Sequence, residues 1–141
     1  MSLVVDASVV AKWLLAEPDA ERALALRERA EFEGVALLAP DILAAEVASV
    51  VWKRVIRGQL EPAEGERLFG TFTLMSPLLV RLDGLAHQAL RLSVQFRRSV
   101  YDCLYLALAF KQSCDLVTAD ERLYNALKGQ APQLRLLGEY I

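Results

Sequence analysis

The sequence predicts an α/β fold: a mostly parallel sheet of about five strands with helices on both faces. Three observations predict it. Short apolar runs alternate with longer helical segments, the pattern of successive β-α-β units. The first and fourth runs are continuously apolar or β-branched rather than alternating in polarity, as strands covered on both faces are. Hydrophobic residues make up 55% of 141 residues against 24% charged, a composition that can bury a core without disulfides.

A chain of this length fits one domain, residues 1–141. Leu3-Val4-Val5 reads as the first strand. Val9 to Ala16 is helical, and Glu17-Pro18-Asp19 breaks it. Asp19 is expected to cap a helix over Ala20 to Glu33 that ends at Gly34. Val35 to Ala39 is the second strand. Pro40-Asp41 opens a long helix to Arg57, stopped at Gly58. Pro62 starts another over Ala63 to Met75; the hairpin of these two helices offers a surface to a partner or a second copy. Leu78 to Leu82 is the third strand, and Asp83 caps a helix over Gly84 to Phe96. After a basic break, Arg97-Arg98-Ser99, the most apolar helix runs from Val100 to Ser113. Leu116-Val117-Thr118 is the fourth strand, Glu121 to Lys128 a helix, and Leu134 to Leu137 a fifth strand. No internal repeat or low-complexity tract interrupts this order.

The totals exclude several classes. A net charge of −2 provides no global positive field, so a nucleic acid would need a local basic patch. Cys103 and Cys114, eleven positions apart, match no zinc spacing and read as reduced thiols of a cytoplasmic protein. The start M-S-L-V-V-D has no basic region, and Asp6 and Lys12 interrupt its apolar run, so it is not a signal peptide. No run approaches the ~18 apolar residues of a membrane span. His87, the only histidine, falls inside a predicted helix away from the strand ends, which argues against Ser-His-Asp or Cys-His chemistry. No glycine-rich phosphate loop follows a strand.

Four acids from distant parts of the chain are expected on one rim. Ligand sites of open parallel sheets lie beyond the carboxyl ends of the strands. Asp6 directly follows the first strand, and Asp120 follows the fourth by two residues. Glu46 lies in the first two turns of the helix after the second strand. Asp102 lies in the first turn of the Val100–Ser113 helix, which starts at the same edge because it runs opposite to the strand it precedes.

Taken singly, each aspartate reads as a helix cap: Asp6 for the first helix, Asp102 within S-V-Y-D, Asp120 for the last, although T-A-D-E from Thr118 offers a better box there. Glu46 resists that reading. Ile42, Leu43 and Val50 surround it at helical spacing, so it sits on an apolar stripe, where a carboxylate is costly unless paired or bound to a metal. Asp102 is likewise the only charged residue between Val100 and Phe110. Two carboxylates ~4 Å apart repel by ~4 kcal/mol at an effective dielectric of 20. Four on one rim call for a cation or strongly shifted pKa values. No Lys or Arg adjoins Asp6, Glu46 or Asp102, although Arg122 is near Asp120. Hard oxygen donors without His or Cys select Mg²⁺ or Mn²⁺. Such an ion suits hydrolysis of a phosphate ester.

With those residues in place, the chain resembles a PIN domain, most of all the toxin ribonuclease of VapBC toxin–antitoxin pairs. V-V-D-A-S (Val4 to Ser8), P-D-I-L-A-A-E-V (Pro40 to Val47), Y-D-C-L-Y-L-A-L-A (Tyr101 to Ala109) and L-V-T-A-D-E-R-L (Leu116 to Leu123) carry the resemblance, in the family's order and over nearly the full length. It implies a three-layer α/β/α fold and a metal-dependent endoribonuclease. Asp6, Glu46, Asp102 and Asp120 match the family's acidic metal-binding and catalytic positions. Ser8 and Thr118 match supporting hydroxyl positions that orient carboxylates or water. It also implies an RNA substrate, a homodimer, and a small antitoxin that lays a C-terminal segment across the helices and acidic pocket.

Arg97 and Arg98, just before Asp102, are candidates to hold RNA phosphates; Lys53, Arg54 and Arg57 read as charges near a helix end. Trp13 and Trp52 read as core or interface packing. Two other functions fit less well. One is a module of this fold that binds RNA or protein without cutting, which the intact acidic set argues against. The other is a metal-dependent phosphatase resembling the haloacid dehalogenases, which would need a second Asp two residues after the first; Ser8 stands there, and no lysine partner is evident.

Overall fold

A computed structural model describes all of residues 1–141. Five strands, β1 (Ser2–Val5), β2 (Ala36–Pro40), β3 (Leu78–Val80), β4 (Leu116–Thr118) and β5 (Leu134–Leu136), form one sheet in the order β3-β2-β1-β4-β5. Every pairing is parallel; Val4 stands opposite Leu38 on one side and Leu116 on the other. Helices flank the sheet: α1 (Ala7–Leu14), α2 (Ala20–Glu33), α3 (Ile42–Ile56), α4 (Pro62–Met75), α5 (Ala86–Phe96), α6 (Val100–Gln112), α7 (Glu121–Leu127) and the short α8 (Leu137–Tyr140). The strand order reverses between β1 and β4, with β2 and β3 wound to one side and β5 to the other. In open parallel sheets such a reversal leaves a crevice at the carboxyl ends. Asp6 and Ala119 are the residues that leave these two strands.

The central elements are buried as their composition demands. Val4, Val5, Leu116 and Val117 have no exposed surface, consistent with a sheet covered on both faces. In α6 seven consecutive residues, Cys103 to Ala109, are buried, so the middle of this helix has no solvent face and only its ends are exposed. That is why it lacks the amphipathic periodicity of a surface helix. Trp13 is buried and donates its indole N–H to the Ala23 carbonyl at 2.9 Å, tying α1 to α2. Gly65 lets α4 approach α3: a Cβ there would lie 3.1 Å from methyls of Val51 and Val55.

Several boundaries differ from the sequence expectation. The first helix spans Ala7–Leu14 rather than Val9 to Ala16, because Asp6 caps it. Asp19 stands at the start of α2 in a left-handed conformation (φ 65°) and makes no side-chain cap; it lies 3.5 Å from Arg22 instead. Asp83 does not cap α5. It sits in a 3-10 turn, Leu82–Gly84, and pairs with Arg81 at 3.1 Å, while α5 begins at Ala86. The third strand accordingly ends at Val80. The fifth ends at Leu136, and Leu137 starts a helical turn. Trp52 is 58% exposed and not part of the core.

Candidate active site

Each acid reaches the β1/β4 crevice by a local structural rule. Asp6 leaves β1 in an extended conformation and caps α1, its Oδ1 accepting the Val9 N–H at 3.2 Å. Two hydroxyls hold the same carboxylate: Ser8 donates to Oδ1 and Thr118 to Oδ2, both at 2.5 Å. A hydroxyl has one proton. Both protons are therefore committed to Asp6, and the 3.3 Å contact between Ser8 Oγ and Thr118 Oγ1 is no hydrogen bond. These oxygens accept in turn, Ser8 from the Ala119 N–H at 2.9 Å and Thr118 from the Asp120 N–H at 3.0 Å. Asp6, Ser8 and Thr118 thus stitch β1 to the loop after β4. Thr118 does not serve the T-A-D-E capping box; Asp120 caps α7 itself, accepting from the Arg122 and Leu123 N–H groups at 3.0 and 3.2 Å.

Glu46 lies on the inward side of α3 and accepts from the Tyr105 hydroxyl at 2.5 Å on Oε1. Tyr105 is buried on α6 one turn after Asp102. Asp102 sits in the first turn of α6, where Ser99 caps the helix by accepting the Asp102 N–H at 3.1 Å. Its Oδ2 is 3.6 Å from Nη2 of Arg98. Asp6 and Asp120 therefore cap helices and also line the rim, whereas Asp102 closes no capping box: Ser99 alone caps α6.

Asp6, Ser8, Glu46, Asp102, Tyr105 and Asp120 line one cavity of about 170 Å³, with Ala7 and Leu123 completing it. Thr118 lies behind it, fully buried. Burial pushes Asp6 up to about 6 from an ordinary 3.8, against the three hydrogen bonds that favour its charge; Asp120 raises it further. Burial raises Glu46 as well, opposed by the Tyr105 hydrogen bond and aided by Asp102. Burial also raises Asp102, offset chiefly by the Arg98 guanidinium. Tyr105 is raised by burial and by Glu46, so its proton stays on the phenol as the donor.

The donors fit a hard divalent cation held loosely. No three acidic, His or Cys side chains converge on one point, so there is no closed protein cage. Mg²⁺ does not use one: it keeps several waters and takes one or two carboxylates. The cavity has room for several waters at ~30 Å³ each. Asp6 Oδ2 accepts one hydrogen bond and Glu46 Oε2 none, which leaves oxygen lone pairs on both acids for further donors.

All four sequence-predicted acids are thus brought together, with Ser8 at the wall and Thr118 behind it. Arg98 reaches Asp102. Arg97 ends α5 in a left-handed conformation (φ 56°) and is exposed; it does not line the cavity. His87 is exposed on α5. Tyr105 was not singled out from the sequence, where the signal was a phenol three residues after Asp102 on an otherwise apolar helix.

The chain is similar to several known proteins. Ribonuclease VapC3 of Pyrobaculum aerophilum is 34% identical over 130 residues, covering 87% of this chain and 92% of that protein. VapC ribonuclease Mb0985 of Mycobacterium bovis and Ribonuclease VapC9 of Mycobacterium tuberculosis are each 30% identical, over 92% of this chain and 94% of theirs. Among solved structures, PAE2754 from Pyrobaculum aerophilum superposes with a TM-score of 0.67 at 22% identity, over 98% of this chain and 93% of that one; it shares the fold. The sequence model of the PIN domain matches residues 3–128, which takes in every acid of the cavity, and the chain belongs to the PIN domain family.

Proposed function

We propose that this chain is a metal-dependent endoribonuclease that hydrolyses phosphodiester bonds of RNA, and the toxin of a toxin–antitoxin pair. One observation carries the reading: four carboxylates from four separate segments line one small cavity with a single guanidinium beside them. Such a cluster is unstable alone and is what a divalent cation stabilises. The ribonuclease names of the relatives supply the substrate class. The single cluster of core side chains, from Leu3 to Leu137, supports one domain over residues 1–141.

In this reading Asp6, Glu46, Asp102 and Asp120 together hold Mg²⁺ or Mn²⁺, directly or through the waters it keeps, and are the catalytic acids. When bound, the ion orients the phosphate, acidifies the attacking water and stabilises the leaving oxygen. The protein's part is to hold the acids in place. Ser8, Thr118 and the Val9 N–H fix both oxygens of Asp6. Tyr105 fixes Glu46, and the first turn of α7 fixes Asp120. Each such outer contact orients a metal ligand. Arg98, with the exposed Arg97 beside it, holds RNA phosphates. The partners are RNA, a second copy of the chain and a small VapB-type antitoxin. The free thiols of Cys103 and Cys114 suit a cytoplasmic location, and no helix is long and apolar enough to cross a membrane.

The test is incubation of antitoxin-free protein with mixed transfer and ribosomal RNA, in Mg²⁺ or Mn²⁺ against EDTA, with Asp102→Asn alongside. Discrete fragments that need metal and disappear in the folded variant are expected. Uncut RNA that nonetheless binds would replace the nuclease by a non-cleaving binding module. Turnover of a small phosphate ester with RNA left whole would make it a phosphatase.

A further inference from the structure

Arg98 is the one cation within ion-pair distance of an acid of the cavity, and its surroundings are built rather than incidental. It precedes α6, yet it is held one helical turn from Asp102. Arg97 closes α5 in a left-handed conformation. The Ser93 hydroxyl donates to the Arg98 carbonyl at 2.5 Å, and the Ser99 hydroxyl caps α6 from the next residue. The backbone on both sides of Arg98 is thereby pinned.

The guanidinium itself is under-used. Nη2 is 3.6 Å from Asp102 Oδ2, beyond hydrogen-bond range, so the contact is electrostatic. Apart from that one long contact the side chain has no hydrogen-bond partner, although a guanidinium carries five donors. Nε is buried and is the one buried side-chain polar atom in the chain with no partner. A buried, unpaired donor is costly and calls for an explanation at a functional site. A guanidinium that served stability alone would be expected to close a fork on Asp102, as Arg–carboxylate pairs do. This one balances the acid's charge without bonding to it.

We propose that Arg98 makes metal binding and RNA binding cooperative: it competes with the divalent cation for Asp102, and the same guanidinium grips an RNA phosphate. The inference rests on the metal-dependent nuclease reading above. A divalent ion on Asp102 and a guanidinium 3.6 Å from the same oxygen repel each other. That repulsion weakens the ion's hold as long as Arg98 faces the acid. An RNA phosphate offers the guanidinium a planar, bidentate acceptor and a negative charge. Pairing with it engages the solvent-facing Nη donors and removes the penalty on the ion. By reciprocity, each ligand then tightens the other by the same factor.

The experiment measures two affinities on the full chain. Mn²⁺ binding is read from the free-ion resonance signal without RNA. RNA binding is read by mobility shift with bulk transfer RNA, its intactness checked on a denaturing gel, at low and high Mn²⁺. Wild type, Arg98→Gln and Arg98→Lys are compared, each shown to be folded by its melting curve. In wild type, Mn²⁺ should tighten RNA binding and RNA should tighten Mn²⁺ binding. In Arg98→Gln, Mn²⁺ alone should bind tighter, by roughly three- to tenfold for one partly buried charge. Its RNA affinity in Mn²⁺ should fall by a similar factor or more, and the mutual tightening should disappear. Arg98→Lys should restore the weaker Mn²⁺ binding, because charge alone repels. It should recover only part of the RNA grip, because it lacks the fork. A merely structural arginine would lower both affinities together. Unchanged or weaker Mn²⁺ binding in folded Arg98→Gln, in a protein whose wild type cleaves, overturns this inference alone. A wild type that neither binds Mn²⁺ nor cleaves overturns the nuclease reading as well.

Discussion

Both rims of the sheet carry charged side chains, and they compensate them differently. At the amino ends of the strands, charge closes on itself. Arg135 lies 3.3 Å from Asp115 and stacks over the Tyr140 ring at 5.5 Å. Arg29 and Glu33, near the end of α2 before β2, meet at 3.0 Å. At the carboxyl ends Arg81 and Asp83 also pair, at 3.1 Å after β3. In the β1/β4 crevice, however, four carboxylates share a cavity, with one guanidinium 3.6 Å from Asp102. Local matching of opposite charges is what stability alone favours. A set of acids that hydroxyls, a phenol and backbone N–H groups hold still, while its charge stays unbalanced, is arranged for something that brings positive charge. The contrast, more than any one residue, marks which rim works.

The largest effect should come from removing one charge at each rim without changing shape. Asp120→Asn should lower metal-dependent RNA cleavage by more than ~100-fold, beyond the usual cost of losing a supporting contact. Asp115→Asn, at the other rim, should stay within about twofold of wild type, since surface ion pairs contribute little. Initial rates on the same RNA pool compare them. Equal losses would erase the distinction between the rims.

A second effect reads the unbalanced charge as stability. The folded protein holds the Asp6 proton up to about 6, whereas an ordinary carboxyl releases it near 3.8. Below pH 4 both folded and unfolded chains are protonated there, and the group costs nothing. Between 4 and 6 the folded state binds more protons than the unfolded state, so this contribution to stability falls as pH rises. Above 6 both are ionised and the full cost, ~3 kcal/mol, remains. The burial that raises Glu46 and Asp102 acts in the same sense. In EDTA, the stability gained by Asp6→Asn over wild type should therefore grow from pH 4 to pH 6.5, and Mg²⁺ or Mn²⁺ should shrink it by stabilising wild type alone. Denaturant melts at fixed pH measure this. A gap that stays flat with pH and metal would mean that Asp6 is an ordinary helix cap.

Next in size is Tyr105→Phe, which keeps the buried ring and removes one hydroxyl. Losing an outer contact to a metal-holding acid costs ~10–100-fold in activity or metal affinity. The phenol's hydrogen bond lowers the Glu46 pKa, so its loss should raise that pKa. The acid limb of the pH–rate profile should then move to higher pH. A lower rate with an unmoved limb would assign Tyr105 to packing rather than to Glu46.

Much of this was legible in the sequence because burial and strand position are local signals. The continuous runs around Val4 and Leu116 gave parallel strands, and an acid on the apolar stripe of α3 or inside α6 had to meet something. What the sequence withheld is lateral. Nothing in the order of elements says that β1 lies beside β4, and that adjacency brings Thr118 onto Asp6 and makes the crevice. Tyr105 was hidden because a phenol in an apolar helix reads as core, and its partner Glu46 is 59 residues away. Asp19 and Asp83 were misread as caps because composition cannot separate a residue that accepts N–H groups from one that pairs with a neighbouring arginine. Asp6 and Asp120 also cap their helices, so that reading competed with function without excluding it.

The smallest effect probes the quiet rim. Asp115 and Arg135 are 34% and 48% exposed at the side chain, so water screens their pair. A double-mutant cycle with Asp115→Ala and Arg135→Ala should give a coupling of about 0.2–1 kcal/mol, the usual worth of an exposed pair. Arg135→Ala alone should cost somewhat more than the coupling, because it also uncovers the face of Tyr140. Neither change should alter RNA cleavage or Mn²⁺ affinity, since the sheet separates this rim from the cavity. Thermal melts give the coupling, and cleavage rates give the control. A coupling above ~2 kcal/mol would place buried, costly electrostatics at both rims. The imbalance at the carboxyl ends would then be a habit of this fold rather than the mark of its working edge.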